Sequence, residues 1–319
     1  MAKFQILRAT GGNGGIPSSR REFLQLALSA GVSWTLLPVS VKAAALPQVA
    51  LFDWGLAETL LSIGVTPIAL AETGGYRKWV LEPELPDQVI DLGLRLAPNF
   101  ELLASLRPDL IITTPEIHPL HPMLEKIAPT KQLSIYRPDG KAWDHSRQCA
   151  VEMGRLLGVQ QQTDDFLRQV DATLSATRQR IDGKAQRPVY LVTFIDHRHV
   201  RIFGANSIFQ TVLERLGLTN AFTGWTNYWG FTTRGIEHLA EQPDAQLIYI
   251  EPAPKAALET MTNSPLWHAL PFVRSGHVKA LPPVWSFGGL ASGVRLARLL
   301  GKMPPEAATN TAARVQGTL

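Results

Sequence analysis

Three Gly- and Pro-rich stretches carry a large share of the aromatic side chains. Tyr76 and Trp79 lie in GGYRKWVLEPELP, Trp225, Tyr228, Trp229 and Phe231 in GWTNYWGFT, and Trp285 and Phe287 in PPVWSFGG. Such composition marks loops, where core aromatics are less expected and ligands are commonly held. Flat rings with few polar groups suit a concave site for an organic ligand; the plainer alternative is that they cover helix ends. Arg95 follows a probable strand in DLGLRLAP. Its guanidinium can hold planar anionic oxygens with two donors, or it can form a structural ion pair with Asp91 or Glu101.

Metal and catalytic chemistry have weaker support. His118 and His121 in HPLHP, and Asp196, His197 and His199 in DHRH, sit in turn-like stretches without a helical His-x-x-x-His or a supporting cysteine. No direct metal ligand is expected from them. There is no Gly-x-Ser-x-Gly elbow, phosphate loop or dinucleotide fingerprint, so an enzyme is not expected. A hydrolase built from dispersed residues is the alternative of a different class.

Two acidic residues occur in a repeated phrase. NFELLASLRPDLIIT and GIEHLAEQPDAQLIYI share a cap, an apolar residue, a glutamate, a short helix, Pro-Asp and a buried strand. Glu101 and Glu237 each fall two residues after the cap, Asn99 or Gly235, in a first turn where the helix dipole favours a carboxylate. Alternatively, each offers an exposed carboxylate to a basic partner with two equivalent subunits.

The elements that must position these residues alternate between strand and helix. QVALF, PIALAE, VIDLG, DLIITT and KQLSIY read as strands, and LAETLLSIGV as a helix ending near Gly64. Asp144 to Leu157 forms a helix broken at Gly158. A longer one follows, with Phe166, Val170, Leu174 and Ile181 on one face and its end at Asp182-Gly183. The alternation then restarts with PVYLVTFID, VRIFG, a helix capped by Asn206 or Ser207, AQLIYIE and a closing helix in FGGLASGVRLARLLGK. The expected fold is α/β: two β/α lobes with mostly parallel central sheets, joined by one long rigid helix, with the ligand cleft between them. The expected boundaries are 44–160 for the first lobe, 161–183 for the linker and 184–319 for the second. A helical connector predicts a cleft that opens little.

Residues 1–43 read as an address. Ser19-Arg20-Arg21-Glu22-Phe23-Leu24 precedes a moderately apolar run and a small-residue end at Ala43 to Ala45, the pattern of a cleaved twin-arginine export signal. A periplasmic location follows. The net charge of +4 belongs to that segment, since basic and acidic residues balance in the remainder, and no nucleic-acid partner is expected. At 319 residues, 45% hydrophobic and with one cysteine, Cys149, the chain relies on apolar cores rather than on an internal disulfide.

Taken together, YRKWVLEPELPDQVIDLGLRLAPNFELL, IDHRHVRIFGANSIFQ, TNYWG, SPLWHALPFVRSG and PPVWSFGG resemble the periplasmic iron(III)-hydroxamate (ferrichrome-type) binding proteins of ABC importers. The resemblance covers nearly all of the chain after the signal. It implies a monomer that captures a ferric siderophore and delivers it to an inner-membrane ABC permease. Iron is then held only through the siderophore's oxygens, with no cofactor. Arg95 matches the arginine that bonds hydroxamate oxygens; Trp79, Trp229 and Trp285 match the aromatic lining, with Tyr76 and Tyr228 beside it. Glu101 and Glu237 match the two glutamates that dock on the permease. Two positions depart from the pattern: Ile117 and Phe287 stand where the family has tyrosines, which removes hydroxyl donors but not apolar area. Haem, cobalamin or a free metal are alternative cargoes on the same architecture.

Overall fold

The long helix expected between the lobes runs over Gln160–Ile181 in the computed structural model, which describes residues 46–182 and 187–303. The proposed export signal lies outside the described residues. Five parallel strands form the first sheet: β1 (Val49–Leu51), β2 (Ala69–Leu70), β3 (Ile90–Asp91), β6 (Leu110–Thr113) and β7 (Thr130–Gln132), in the order β3-β2-β1-β6-β7. Between β3 and β6, β4 (Gly93–Leu94) and β5 (Ala97–Pro98) make a separate small hairpin.

The second sheet has the order β10-β9-β8-β11-β12. Here β8 (Val189–Phe194), β11 (Gln246–Ile250) and β12 (Val278–Leu281) are parallel, whereas β9 (His199–Phe203) and β10 (Phe231–Gly235) are antiparallel additions. The molecule is therefore two α/β lobes with mostly parallel central sheets linked by a long helix.

The repeated phrase has a topological meaning. Phe100–Leu106 leads to β6 and the 3₁₀ segment Ile236–Glu241 leads to β11, and both strands are fourth in their sheets. Each phrase builds the same place in its own lobe.

The linker helix does not stand alone. Phe166, Val170, Leu174 and Ile181 are buried in a core that reaches Val49 and Leu51 of one sheet and Val189 and Leu191 of the other. Helices Trp54–Ser62, Ala142–Leu157, Ile208–Leu216 and Leu290–Lys302 contribute to the same core. Opening the lobes by a large angle would expose part of this shared apolar layer, at about 25 cal/mol per Å². Rigidity thus comes from a packed helical layer as well as from the helix itself.

Candidate functional site at the lobe junction

In the N-terminal lobe the site begins where β1 turns into the helix Trp54–Ser62. The Asp53 side chain accepts from Leu56 N at 2.9 Å and caps that helix. Trp54 is thereby fixed at a strand-to-helix turn, with its indole Nε1 donating to Ala71 O at 3.1 Å. The ring lies against Gly75, where an added Cβ would come within 2.3 Å of it.

Arg95 sits in the β4–β5 turn with its guanidinium 4.8 Å from the Trp54 ring centre, a cation–π contact. Its Nε and Nη2 donate to Glu72 Oε2 at 3.2 and 3.0 Å, and its backbone N to Oε1 at 3.4 Å. The ion pair therefore forms with neither sequence candidate. Asp91 instead accepts from Thr73 N, the Thr73 hydroxyl and Gly93 N, and Glu101 is exposed on its helix.

The C-terminal lobe contributes two loops and a strand. Trp229 is set by a tight turn in which Gly230 N donates to Asn227 O at 2.9 Å and Asn227 N to Phe231 O at 3.0 Å. Gly230 has φ +79°, and a Cβ there would lie 2.2 Å from Ser207 N, so both conformation and space demand glycine. Trp229 packs on Phe287 (5.7 Å between ring centres) and Tyr228 (5.1 Å). Phe287 also touches Trp285 at 5.3 Å and Phe231 at 5.7 Å, and Trp285 reaches Trp54 at 4.8 Å. At the far side the Arg201 guanidinium stacks 4.5 Å from Phe231 and 5.3 Å from Phe287.

Tyr136, which follows β7 in the N-terminal lobe, stacks on Trp229 at 5.1 Å. Its hydroxyl donates to Gly288 O at 2.9 Å, and burial holds its pKa well above the usual phenol value. A continuous path of rings thus crosses the junction, with a guanidinium at each end: Arg95 from one lobe and Arg201 from the other.

Residues 49–284 match the model of a family described as periplasmic binding protein. The chain belongs to the periplasmic binding protein family. It is 34% identical over 283 residues to the iron(3+)-hydroxamate-binding protein FhuD of Escherichia coli K12, covering 88% of this chain and 95% of that one. It is also similar to the Fe3+-Desferal-bound siderophore-binding protein FhuD of Vibrio cholerae, with TM-score 0.76 and 28% identity over 80% of this chain and 97% of that one. The petrobactin-binding protein YclQ of Bacillus subtilis shares the fold, with TM-score 0.65, 19% identity and coverage of 80% and 91%.

In this periplasmic binding protein the predicted site residues divide. Arg95, Tyr228, Trp229, Trp285 and Phe287 come together in the ring path. Tyr76 does not: it is fully buried in the main core, its hydroxyl donating to Pro83 O at 2.8 Å. Ile117 is likewise buried, in a separate core with Phe52, Leu103 and Ile111, so its side chain packs the lobe rather than lining the ring path. Trp79 is half-buried against the main core, with the Lys78 ammonium 5.1 Å over its ring.

The two histidine pairs do not converge either. His118 and His121 pack at a tilt, 5.1 Å between ring centres, while His121 Nε2 bonds Thr113 Oγ1 at 2.7 Å; His199 bonds Asp196 in a hairpin turn. No group of three or more His, Cys, Asp or Glu is placed to hold a metal among the described residues.

Sequence reasoning missed Trp54, Tyr136 and Arg201 and left Phe231 among the loop aromatics. A signal existed for two of them. Trp54 sits just past the carboxyl end of a parallel strand, where open α/β sheets place ligands. Arg201 interrupts the apolar strand VRIF, and a cation there needs a reason. Burial without a counter-charge pushes its pKa below the ordinary guanidinium value.

Proposed function

We propose that this protein captures a ferric siderophore of the hydroxamate type between its two lobes and delivers it to an inner-membrane ABC importer. The observation that carries the reading is the ring path across the junction with Arg95 stacked at its edge. A chelated ferric ion is a bulky, largely organic body with oxygens at its surface. Indole and phenyl faces match its carbon skeleton, and a guanidinium matches its hydroxamate oxygens. The names of the E. coli and V. cholerae relatives support the same cargo. Iron would arrive already chelated, so no side-chain ligand is required.

Within this reading Arg95 bonds hydroxamate oxygens, and Trp229, Trp285 and Phe287 hold the skeleton from the C-terminal lobe. Trp54 and Tyr136, absent from the sequence expectation, join them from the N-terminal lobe. Tyr228 and Trp79 serve as rim residues. Residues 1–43 act as the export signal, with lobes at 44–160 and 184–319 around a linker at 161–183. The working form is a monomer. Glu101 and Glu237, both exposed in first turns of equivalent segments, dock on the two permease subunits.

Titration of the mature protein with ferrichrome and ferrioxamine B, followed by tryptophan fluorescence, tests the cargo. Saturable quenching at one chelate per protein is expected; no response to any ferric chelate would sink the reading. Changing Glu101 and Glu237 together to alanine should leave that titration unchanged and abolish siderophore-dependent growth of cells relying on this protein. Retained growth would remove the docking assignment.

A further inference from the structure

Arg201 differs from the other charged groups of the junction. Strand β9 pairs antiparallel with β8 and β10, so Thr193, Arg201 and Thr233 stand side by side on three strands. They share the sheet face of Leu191 and Phe203, which belong to the core between the lobes, while Val192, Val200 and Ile202 fill the core on the opposite face. This row lies at the carboxyl end of β8, the ligand side of an open α/β sheet. Phe231 and Phe287, on which the guanidinium stacks, continue directly into Trp229 and Trp285. Its Nε is buried without a hydrogen-bond partner, and among the described residues no carboxylate forms an ion pair with it. Arg95, by contrast, already holds Glu72.

A guanidinium half-withdrawn from water, with its Nε buried and no counter-charge beside it, gains from an anion that completes it. Three hydroxamates neutralise a ferric ion, so a plain ferric trihydroxamate brings no net charge. A pendant amine makes the chelate cationic and a pendant carboxylate makes it anionic.

We infer that Arg201 is a specificity-determining residue whose guanidinium takes a carboxylate of the chelate, so that this protein selects anionic ferric hydroxamates. The inference rests on the reading of the junction as a ferric-hydroxamate site.

One scaffold in three charge states tests it: ferrioxamine B with its free amine, its N-acetyl derivative and its N-succinyl derivative. Kd values for the unmutated protein should fall along that series, by roughly tenfold from amine to succinyl. Added salt should narrow the span, because the contact is between charges. Arg201→Leu should flatten the series, and Arg201→Lys should keep its order with a smaller span, since a point charge lacks the paired donors. An unchanged span in Arg201→Leu, or a flat series in the unmutated protein that binds all three, overturns this inference alone. Failure to bind any of the three overturns the siderophore reading and this inference with it. The salt series needs no variant, so the test survives if Arg201→Leu does not fold.

Discussion

Two ionisable groups on either side of the junction, Glu58 and Arg201, are treated in opposite ways. In the N-terminal lobe Glu58 is fully buried, yet it accepts from Gly289 N at 2.6 Å, Ser292 N at 3.1 Å and Ser292 Oγ at 2.6 Å. Those donors open the C-terminal helix Leu290–Lys302, so one carboxylate ties that helix to the helix Trp54–Ser62. Arg95, in the same lobe, holds Glu72. In the C-terminal lobe Arg201 stacks on two rings and has no such partner. A buried carboxyl group met by three donors ties two helices together; a half-buried guanidinium without a counter-charge keeps donors available for a ligand.

The sharpest way to break this contrast is at Glu58. Glu58→Ala strands two helix N-terminal N–H groups and opens a cavity, which should cost about 4 kcal/mol of unfolding free energy in urea titrations. A cost below about 1 kcal/mol would mean that the carboxylate is not structural.

The same group predicts a pH dependence. Burial raises the Glu58 pKa to about 7, against the hydrogen bonds from Ser292 and Gly289 that lower it. The unfolded chain releases this proton near pH 4.5 and the folded chain only near pH 7. The contribution of Glu58 to stability is thus full below the lower value, falls between the two and is flat above. The drop is about 3 kcal/mol. Glu58→Gln should remove that slope from a plot of urea-derived stability against pH. A slope that persists in the variant would assign it to other groups.

The contrast explains what sequence reading could reach. Elements with local signals were legible: the cap at Asn99, the stop at Gly158, the cap at Ser207 and the buried stripe through Phe166 and Val170 all depend on neighbours in the chain. β10 in FTTRG and β12 in VKAL carry no strong alternation and form because an edge of the sheet accepts them. In the candidate site, Trp229, Trp285 and Phe287, all drawn from loop composition, are neighbours in space. The same argument misplaced Tyr76, because a Gly-rich helix can still turn one ring into a core. Trp54 and Tyr136 enter the site through packing between lobes, which no local window records. Ile117 was located by analogy with a tyrosine position, and its short 3₁₀ turn carries the side chain into the lobe instead.

Arg95 sharpens the comparison from the partnered side. Arg95→Ala removes the guanidinium held by Glu72 and leaves Glu72 as a bare anion beside the proposed hydroxamate position. Ferrichrome affinity should fall about 100-fold, or roughly 2.7 kcal/mol. Adding Glu72→Gln should recover part of the loss by removing that half-buried negative charge, a coupling that a double-mutant cycle in Kd measures directly. Additive effects would show that Glu72 positions nothing and repels nothing.

The smallest expected effect is the most discriminating. If Arg201 were an architectural residue like Glu58, truncating it would destabilise the fold by several kcal/mol, as breaking a buried pair does. There is no pair to break. Arg201→Leu removes a half-buried cation, keeps apolar contact with Phe231 and Phe287, and strands no acceptor among the described residues. Unfolding free energy should therefore change by no more than about 1 kcal/mol, with either sign. A loss of several kcal/mol in urea titrations would place Arg201 with the structural groups and erase its distinction from Glu58. A near-zero change, beside the large cost at Glu58, would separate Arg201 from the groups that hold the fold and leave the charge series of chelates to decide its role.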